Sequence, residues 1–368
     1  MTERAEGNLT KQKLIAKIKE QGPITFADFM NECLYGSDGF FHSGRFEFGE
    51  KLGQGKMVTT PEQTRMYGKL LGTNLYDFWL ALDRPPTFDV VEMGAGTGVM
   101  ARDTLDFTRT AIPDMHSAIR YSIVEVSPTL AKVQQQTLAG QAVNWIEESV
   151  SDGYLPKTTG VFLSNELVDN FPFHRMVIKD GALKEIFIIE DKGRLIEVVQ
   201  DSSTPDLEMY FKDVGVSLAE GQEAWAGLQA LRWMRNINAA LNKGYILTID
   251  YGGTAQEVYN TRGLWSRLTL MSLKVIKPDT GEKAIYAHPG NYDITAAVDF
   301  TALINEGRTL GLEVGYFNTR DQYFLELGLK EVLESTVTRM RLDPLREARY
   351  RGFIEEYRPL LNPFYKVL

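Results

Sequence analysis

Residues 88–98 read Phe88-Asp89-Val90-Val91-Glu92-Met93-Gly94-Ala95-Gly96-Thr97-Gly98, and the order of residue types in this stretch decides the fold. An apolar run of this length that closes on an acid, Glu92, has the pattern of a strand buried on both faces. Three alternating glycines follow, and from Val99 to Thr108 the pattern becomes helical. Glycines at a strand-to-helix turn let the backbone pass close to a ligand and present N–H groups at the helix N-terminus, which makes a binding turn for a nucleotide-type molecule. A nicotinamide fingerprint requires G-x-G-x-x-G, and here Val99 stands where its last glycine belongs. The next strand-end acid, Glu125, also lies well beyond the roughly 20 residues that this fingerprint expects.

Downstream the strand, turn, helix alternation repeats, at 121–126, 143–146, 160–164 and 245–250, with a helix opened by Ser127-Pro128 after the first of these. Alternation of this kind predicts an α/β fold with a doubly wound, mostly parallel sheet covered on both faces. Between the last two strands, residues 175–200 alternate apolar and polar around Lys179-Asp180-Gly181 and Asp191-Lys192-Gly193, which predicts an antiparallel meander with tight turns. A long helix over 220–241, stopped at Gly244, leads back to the sheet. Upstream, residues 10–34 form two helices split at Gly22-Pro23, the second capped by Thr25. A glycine- and aromatic-rich loop over 35–55 has the length of a functional lid. Thr59-Thr60-Pro61-Glu62 then opens a helix carrying Met66, Leu70, Leu71, Leu75 and Phe78 on one side. The expected organisation is therefore an N-terminal helical and loop extension (1–85), a core (86–174 and 242–330), an inserted β-meander with helices (175–241) and a C-terminal helical tail (331–368).

Composition bounds the function. A chain of 368 residues, 43% hydrophobic and 24% charged, holds one α/β core with sizeable additions. A net charge of -9 speaks against a general nucleic-acid binder. One cysteine, Cys33, rules out a disulfide framework and fits a reducing compartment as a small core residue. No run reaches the roughly 18 apolar residues of a membrane span, and the acids in Met1-Thr2-Glu3-Arg4-Ala5-Glu6 are unlike a transit peptide, so a cytoplasmic protein with no membrane partner is expected. His42, His116, His174 and His288 lack metal-ligand spacing, and no metal is expected.

The motif Glu-x-Gly-x-Gly-x-Gly at 92–98 resembles the first motif of class I methyltransferases. In that frame S-adenosylmethionine lies across the carboxyl ends of the strands. Glu125, with Val126 beside it, accepts from the ribose hydroxyls, a bidentate task suited to a carboxylate. Glu92 and the backbone of Gly94, Gly96 and Gly98 hold the aminoacyl end, and Glu148 and Ser149 meet the adenine edge. The fourth strand runs into Ser164-Asn165-Glu166-Leu167-Val168-Asp169-Asn170-Phe171-Pro172. Asn165 stands where cofactor and acceptor sites meet, and in a helical turn Glu166 and Asp169 share a face. Two carboxylates beside a methyl donor suit a cationic acceptor, since they orient it and draw its charge away from the attacking nitrogen.

Taken together, these segments resemble the MidA family of class I methyltransferases. The resemblance runs through Ile24-Thr25-Phe26-Ala27-Asp28-Phe29-Met30, Tyr35-Gly36 with Gly39-Phe40-Phe41, Thr59-Thr60-Pro61-Glu62, the glycine turn, Val124-Glu125-Val126-Ser127, Asn165-Glu166 with Asp169 and Pro172, Asp250-Tyr251-Gly252, and Asp293-Ile294-Thr295 with Val298-Asp299-Phe300. It implies a class I core, S-adenosylmethionine as cofactor and, from the characterised members that include mitochondrial complex I assembly factors, symmetric dimethylation of a protein arginine. The chain departs from the family pattern at Gly55-Lys56-Met57, over 262–288 and at Ala296, departures that bear on the acceptor. A protein or peptide arginine is the leading acceptor, with a small-molecule amine as the alternative; a non-catalytic assembly factor is a third reading, which the intact Glu92, glycines and Glu125 oppose. The apolar face of the 220–241 helix, with Trp225, Leu228, Leu231, Trp233 and Ile237, is either core or the surface of a homodimer.

Overall fold

Every residue of β1 (Phe88–Met93) is buried, as a parallel strand covered on both faces must be. The computed structural model describes residues 9–44, 59–147, 155–273, 281–333, 357–362 and 364–368. The chain falls into two units, one built from Glu47–Leu167, Asn236–Tyr251 and Glu313–Leu368, the other from Met1–Phe46, Val168–Arg235 and Gly252–Leu312.

The first unit contains β1, β2 (Ile119–Val124), β3 (Val143–Ile146), β4 (Thr158–Asn165), β5 (Leu241–Gly253), β6 (Asn318–Thr319) and β7 (Tyr365–Val367). Their spatial order is β6-β7-β5-β4-β1-β2-β3. Strands β1 to β5 are parallel, and β7 lies antiparallel between β5 and β6. The chain leaves β1 toward β2 and β3, then crosses to β4 and β5 on the other side. Strand order therefore reverses beside β1, which in a doubly wound sheet opens a crevice at the carboxyl ends of β1 and β4. This is the α/β architecture expected from the alternation of strand and helix patterns.

Two glycines let β4 and β5 close on β1. Gly160 and Gly244 are register partners with φ of 152° and 147°, and a Cβ on Gly244 would lie 1.8 Å from the Gly160 carbonyl oxygen. Gly244 is thus part of β5, where the sequence pattern suggested a helix stop; the helix itself ends at Ala240. Of the expected helical tail, residues 334–356 lie outside the described residues, and Tyr365–Val367 forms a strand. Val367 is fully buried in the core, and Thr248 and Leu368 exchange backbone hydrogen bonds of 2.7 and 2.9 Å. Three residues are too few for periodicity to reveal a strand.

The second unit carries an antiparallel sheet in the order Ile24–Thr25, Ala182–Asp191, His174–Lys179, Glu223–Ala226, with Arg194–Gln200 also paired to Ala182–Asp191. Its two tight turns sit where they were expected. Asp180 and Gly181 have φ of 54° and 72°, and Lys192 and Gly193 have φ of 49° and 80°, the left-handed pairs that match the twist of a hairpin. The expected helix from 220 begins only at Leu228, because Glu223–Ala226 instead completes the sheet beside His174–Val177. The i, i+3 spacing of Trp225, Leu228 and Leu231 imitated a helix, and pairing to an open sheet edge overrode it. Trp225, Trp233 and Ile237 are buried, and Leu228 and Leu231 are partly buried, so this face is mainly core. Cys33 is likewise buried, and burial pushes its thiol up, as befits an inert core residue. Among the described residues no helix is long and apolar enough to cross a membrane.

Candidate active site

The glycine turn after β1 adopts a conformation that only glycine holds without strain. Gly94, Gly96 and Gly98 have φ of 71°, 55° and 83°. The Gly94 N–H donates to the Val124 carbonyl at 3.0 Å, which ties the turn to β2. A Cβ on Gly94 would come within 2.8 Å of Leu167 Cδ1, so the turn and the segment after β4 pack closely. Gly98 is the N-cap of the helix Val99–Ala111 and offers no side chain to its first N–H groups. A side chain from elsewhere steadies the turn: the Thr97 hydroxyl donates to Glu62 Oε1. The Thr59-Thr60-Pro61-Glu62 element is thereby a support for the glycine turn, although its helix stops at Gln63 and a second begins at Met66.

Two buried acids flank the turn. Glu92 is 1% exposed; Oε2 accepts from the Tyr121 hydroxyl at 2.7 Å, while Oε1 is buried with no hydrogen-bond partner among the described residues. Burial pushes its carboxyl up to about 7, opposed by the Tyr121 hydrogen bond and reinforced by the Glu125 charge. Glu125 follows β2. Its Oε1 accepts from the Ser127 N–H at 2.8 Å and its Oε2 from Gln134 Nε2 at 2.7 Å, and burial again raises the carboxyl to about 7. Gln134 also donates to the Gly96 carbonyl at 3.0 Å and accepts from Trp145 Nε1 at 3.1 Å. One amide side chain thus fixes the acid and the glycine turn relative to each other.

Neither buried carboxylate has a cationic partner among the described residues. An unsatisfied buried carboxylate oxygen costs stability unless a ligand donates to it. S-adenosylmethionine, with ribose hydroxyls and an aminoacyl ammonium, is chemically suited to this pair of acceptors beside a glycine turn. Ser149 and Glu148, expected at the adenine edge, lie outside the described residues, and Val126 follows Glu125 at a partly exposed position.

At the carboxyl end of β4, Asn165 accepts the Tyr67 hydroxyl on Oδ1, and its Nδ2 lies 3.4 Å from Glu166 Oε1. Glu166 has a left-handed φ of 51°, unusual for a residue with a side chain, and its N–H donates to the Ile249 carbonyl at 2.9 Å. The next N–H, of Leu167, donates to buried Asp250 at 3.2 Å. Glu166 therefore leaves the sheet on a bend, and the 3-10 turn begins only at Val168. It does not share a helical face with Asp169, as its spacing had suggested. The left-handed residue, fixed through Ile249 and Asp250 of β5, replaces the first helical turn. Burial pushes the Glu166 carboxyl up, opposed first by the charge of Arg320 and then by hydrogen bonds from Asn165, Thr60 and Tyr365.

Asp169 lies in the other unit, buried, with its carbonyl accepting from the Ala296 N–H at 3.0 Å. There it lines a pocket with Phe171, Tyr210, Trp225 and Asp299. Asp299 caps the helix Phe300–Thr309 through the Ala302 N–H at 3.2 Å and accepts from the Tyr210 hydroxyl at 3.2 Å. Sequence reasoning missed Tyr67, Tyr121, Gln134 and Arg320, because each reaches its partner from a different element and no local spacing connects them.

A family described as "Putative S-adenosyl-L-methionine-dependent methyltransferase" matches residues 70–318. The protein arginine methyltransferase NDUFAF7, mitochondrial, of Homo sapiens is 27% identical over 337 residues, covering 82% of this chain and 70% of the relative. Its Drosophila melanogaster homolog is 28% identical over 343 residues, covering 84% and 72%. A crystal structure of a Burkholderia thailandensis protein bound to S-adenosyl-homocysteine superimposes with a TM-score of 0.78 at 22% identity, covering 98% of this chain and 90% of that one, and so shares the fold. These findings overturn the expectation of a cytoplasmic location, since the curated relatives are named as mitochondrial proteins.

Proposed function

The chain belongs to this family of S-adenosylmethionine-dependent methyltransferases, and from that premise we propose that it methylates a nitrogen of an arginine side chain in a protein. The observation that carries the acceptor reading is the position of Glu166. Ser164 is the register partner of Met93, so the Glu166 carboxyl follows β4 beside the point where β1 enters the glycine turn. The relatives' names as protein arginine methyltransferases support the same acceptor class and favour it over a small-molecule amine.

When bound, the cofactor supplies an electrophilic methyl group on its sulfonium. Glu125 and Glu92 would receive its hydroxyl and ammonium donors, and the left-handed glycine backbone would admit it close to the helix N-terminus. Asn165, held by the Tyr67 hydroxyl, closes β4 directly before Glu166. Glu166 pairs with the guanidinium through the nitrogens that do not react, which draws positive charge away from the attacking nitrogen and fixes its direction of approach. Transfer to a correctly oriented nitrogen is a displacement in line, so positioning supplies most of the rate.

The test is methyl transfer from labelled S-adenosylmethionine to arginine-containing peptides, with a panel of small-molecule amines in parallel and methylarginine read by mass spectrometry. Methylarginine in the peptides, lost in Glu166→Gln while S-adenosylhomocysteine affinity is kept, is the expected result. Transfer to amines alone, or undiminished peptide methylation by Glu166→Gln, overturns the reading.

A further inference from the structure

Arg320 is fully buried, an uncommon state for a guanidinium, and is held from three sides. Its Nη1 donates to the Thr60 hydroxyl at 2.9 Å, its Nη2 to the Pro359 carbonyl at 2.8 Å, and its plane lies 3.8 Å from the Tyr365 ring centroid. Its Nε is buried with no partner among the described residues. A structural cation would be expected to satisfy all its donors, and burying one that does not is costly. The residues that grip Arg320 are those that surround Glu166. Thr60 and Tyr365 both bond the Glu166 carboxyl, and Tyr67, which bonds Asn165, lies 5.9 Å from the guanidinium. All of these residues lie within one unit.

From this arrangement we infer that Arg320 is a positioning residue for Glu166, its permanent charge holding that carboxyl in the ionised form that an arginine acceptor requires. The inference rests on the acceptor role proposed for Glu166. Burial favours the neutral acid, and a neutral acid could not balance a guanidinium. Among the described residues, the groups that face Glu166 are Asn165, Thr60, Tyr67, Tyr365 and Arg320, with Asp250 near Tyr67 as the other acid. Arg320 is the one cation among them. An arginine suits the task because it cannot lose its proton and because its flat face stacks on Tyr365, which fixes the charge without spending it on a direct partner.

The test follows the Glu166 titration in protein carrying carbon-13-labelled glutamate carboxyls, with the resonance assigned through Glu166→Gln. In Arg320→Met the midpoint should rise by about one pH unit. Arg320→Lys, which keeps the charge, should bring it back most of the way. Should Arg320→Met fail to fold, Thr60→Val, which removes the hydroxyl that anchors the guanidinium but keeps the backbone, must raise the midpoint in the same direction. An unchanged midpoint in the folded variant, or a lysine that restores nothing, overturns the inference. Failure of the underlying acceptor role looks different: Glu166→Gln then retains peptide methylation, whatever the midpoints do.

Discussion

Tyr121 donates its hydroxyl to one oxygen of Glu92 at 2.7 Å, and the other oxygen of the same carboxylate is buried without a partner among the described residues. A ligand that donated to this oxygen would therefore stabilise the fold. With Glu92 and Glu125 both raised to about 7, the folded protein binds more protons than the unfolded chain between about pH 4.5 and 7. Their contribution is fully present below the unfolded value and is lost as pH rises through the folded one. Thermal unfolding of the ligand-free protein should show Glu92→Gln more stable than wild type at pH 8, by about 2–3 kcal/mol, with the difference gone near pH 4.5. A variant no more stable than wild type at pH 8 would mean that the carboxylate is already satisfied. The same substitution should weaken S-adenosylhomocysteine binding.

Gln134 bridges Glu125 and the Gly96 carbonyl. Gln134→Ala removes both bonds and touches no acceptor residue, so S-adenosylhomocysteine affinity should fall about tenfold, the cost of one hydrogen bond to a charged group. Calorimetry that shows wild-type affinity would remove Gln134 from the cofactor cradle.

Gly94→Ala meets two obstacles, a φ of 71° and Leu167 Cδ1 at 2.8 Å. The left-handed backbone alone costs roughly 1–2 kcal/mol for a residue with a Cβ. Leu167→Ala in the same chain should recover the steric part and leave the backbone part, so that melting temperature and ligand affinity return only halfway. Full recovery would show that the turn relaxes freely.

At Gly244 the obstacle is backbone, with the added Cβ 1.8 Å from the Gly160 carbonyl oxygen in the neighbouring strand. No side chain can swing aside there. Gly244→Ala should lose more than ~4 kcal/mol and yield little folded protein, measured as soluble yield and denaturant midpoint. A stable, folded Gly244→Ala would contradict the strand register.

What the sequence disclosed follows the range of its interactions. The parallel strands and the hairpins at Asp180-Gly181 and Lys192-Gly193 rest on apolar runs and turn chemistry confined to a few neighbouring residues. Glu223–Ala226 and Tyr365–Val367 were missed because partner strands far along the chain decide their conformation. The same division holds in the site. The glycine turn, Glu92 and Glu125 are announced by spacing, since strand end and turn are local. Arg320 reaches Thr60 across 260 positions and has no local signature. Glu166 shows both sides: its place after β4 was legible, but its left-handed bend depends on Ile249 and Asp250 of β5, which the helical reading of the segment did not include.

The most direct measurement is calorimetric titration of S-adenosylhomocysteine into the wild type and into Glu125→Ala. Binding by the wild type that weakens about a hundredfold or more in the variant, as loss of a buried carboxylate that takes two ligand donors should produce, is the predicted result. A folded wild type that binds nothing, or a Glu125→Ala that binds as tightly as wild type, would contradict the placement of the cofactor beside β1 and β2.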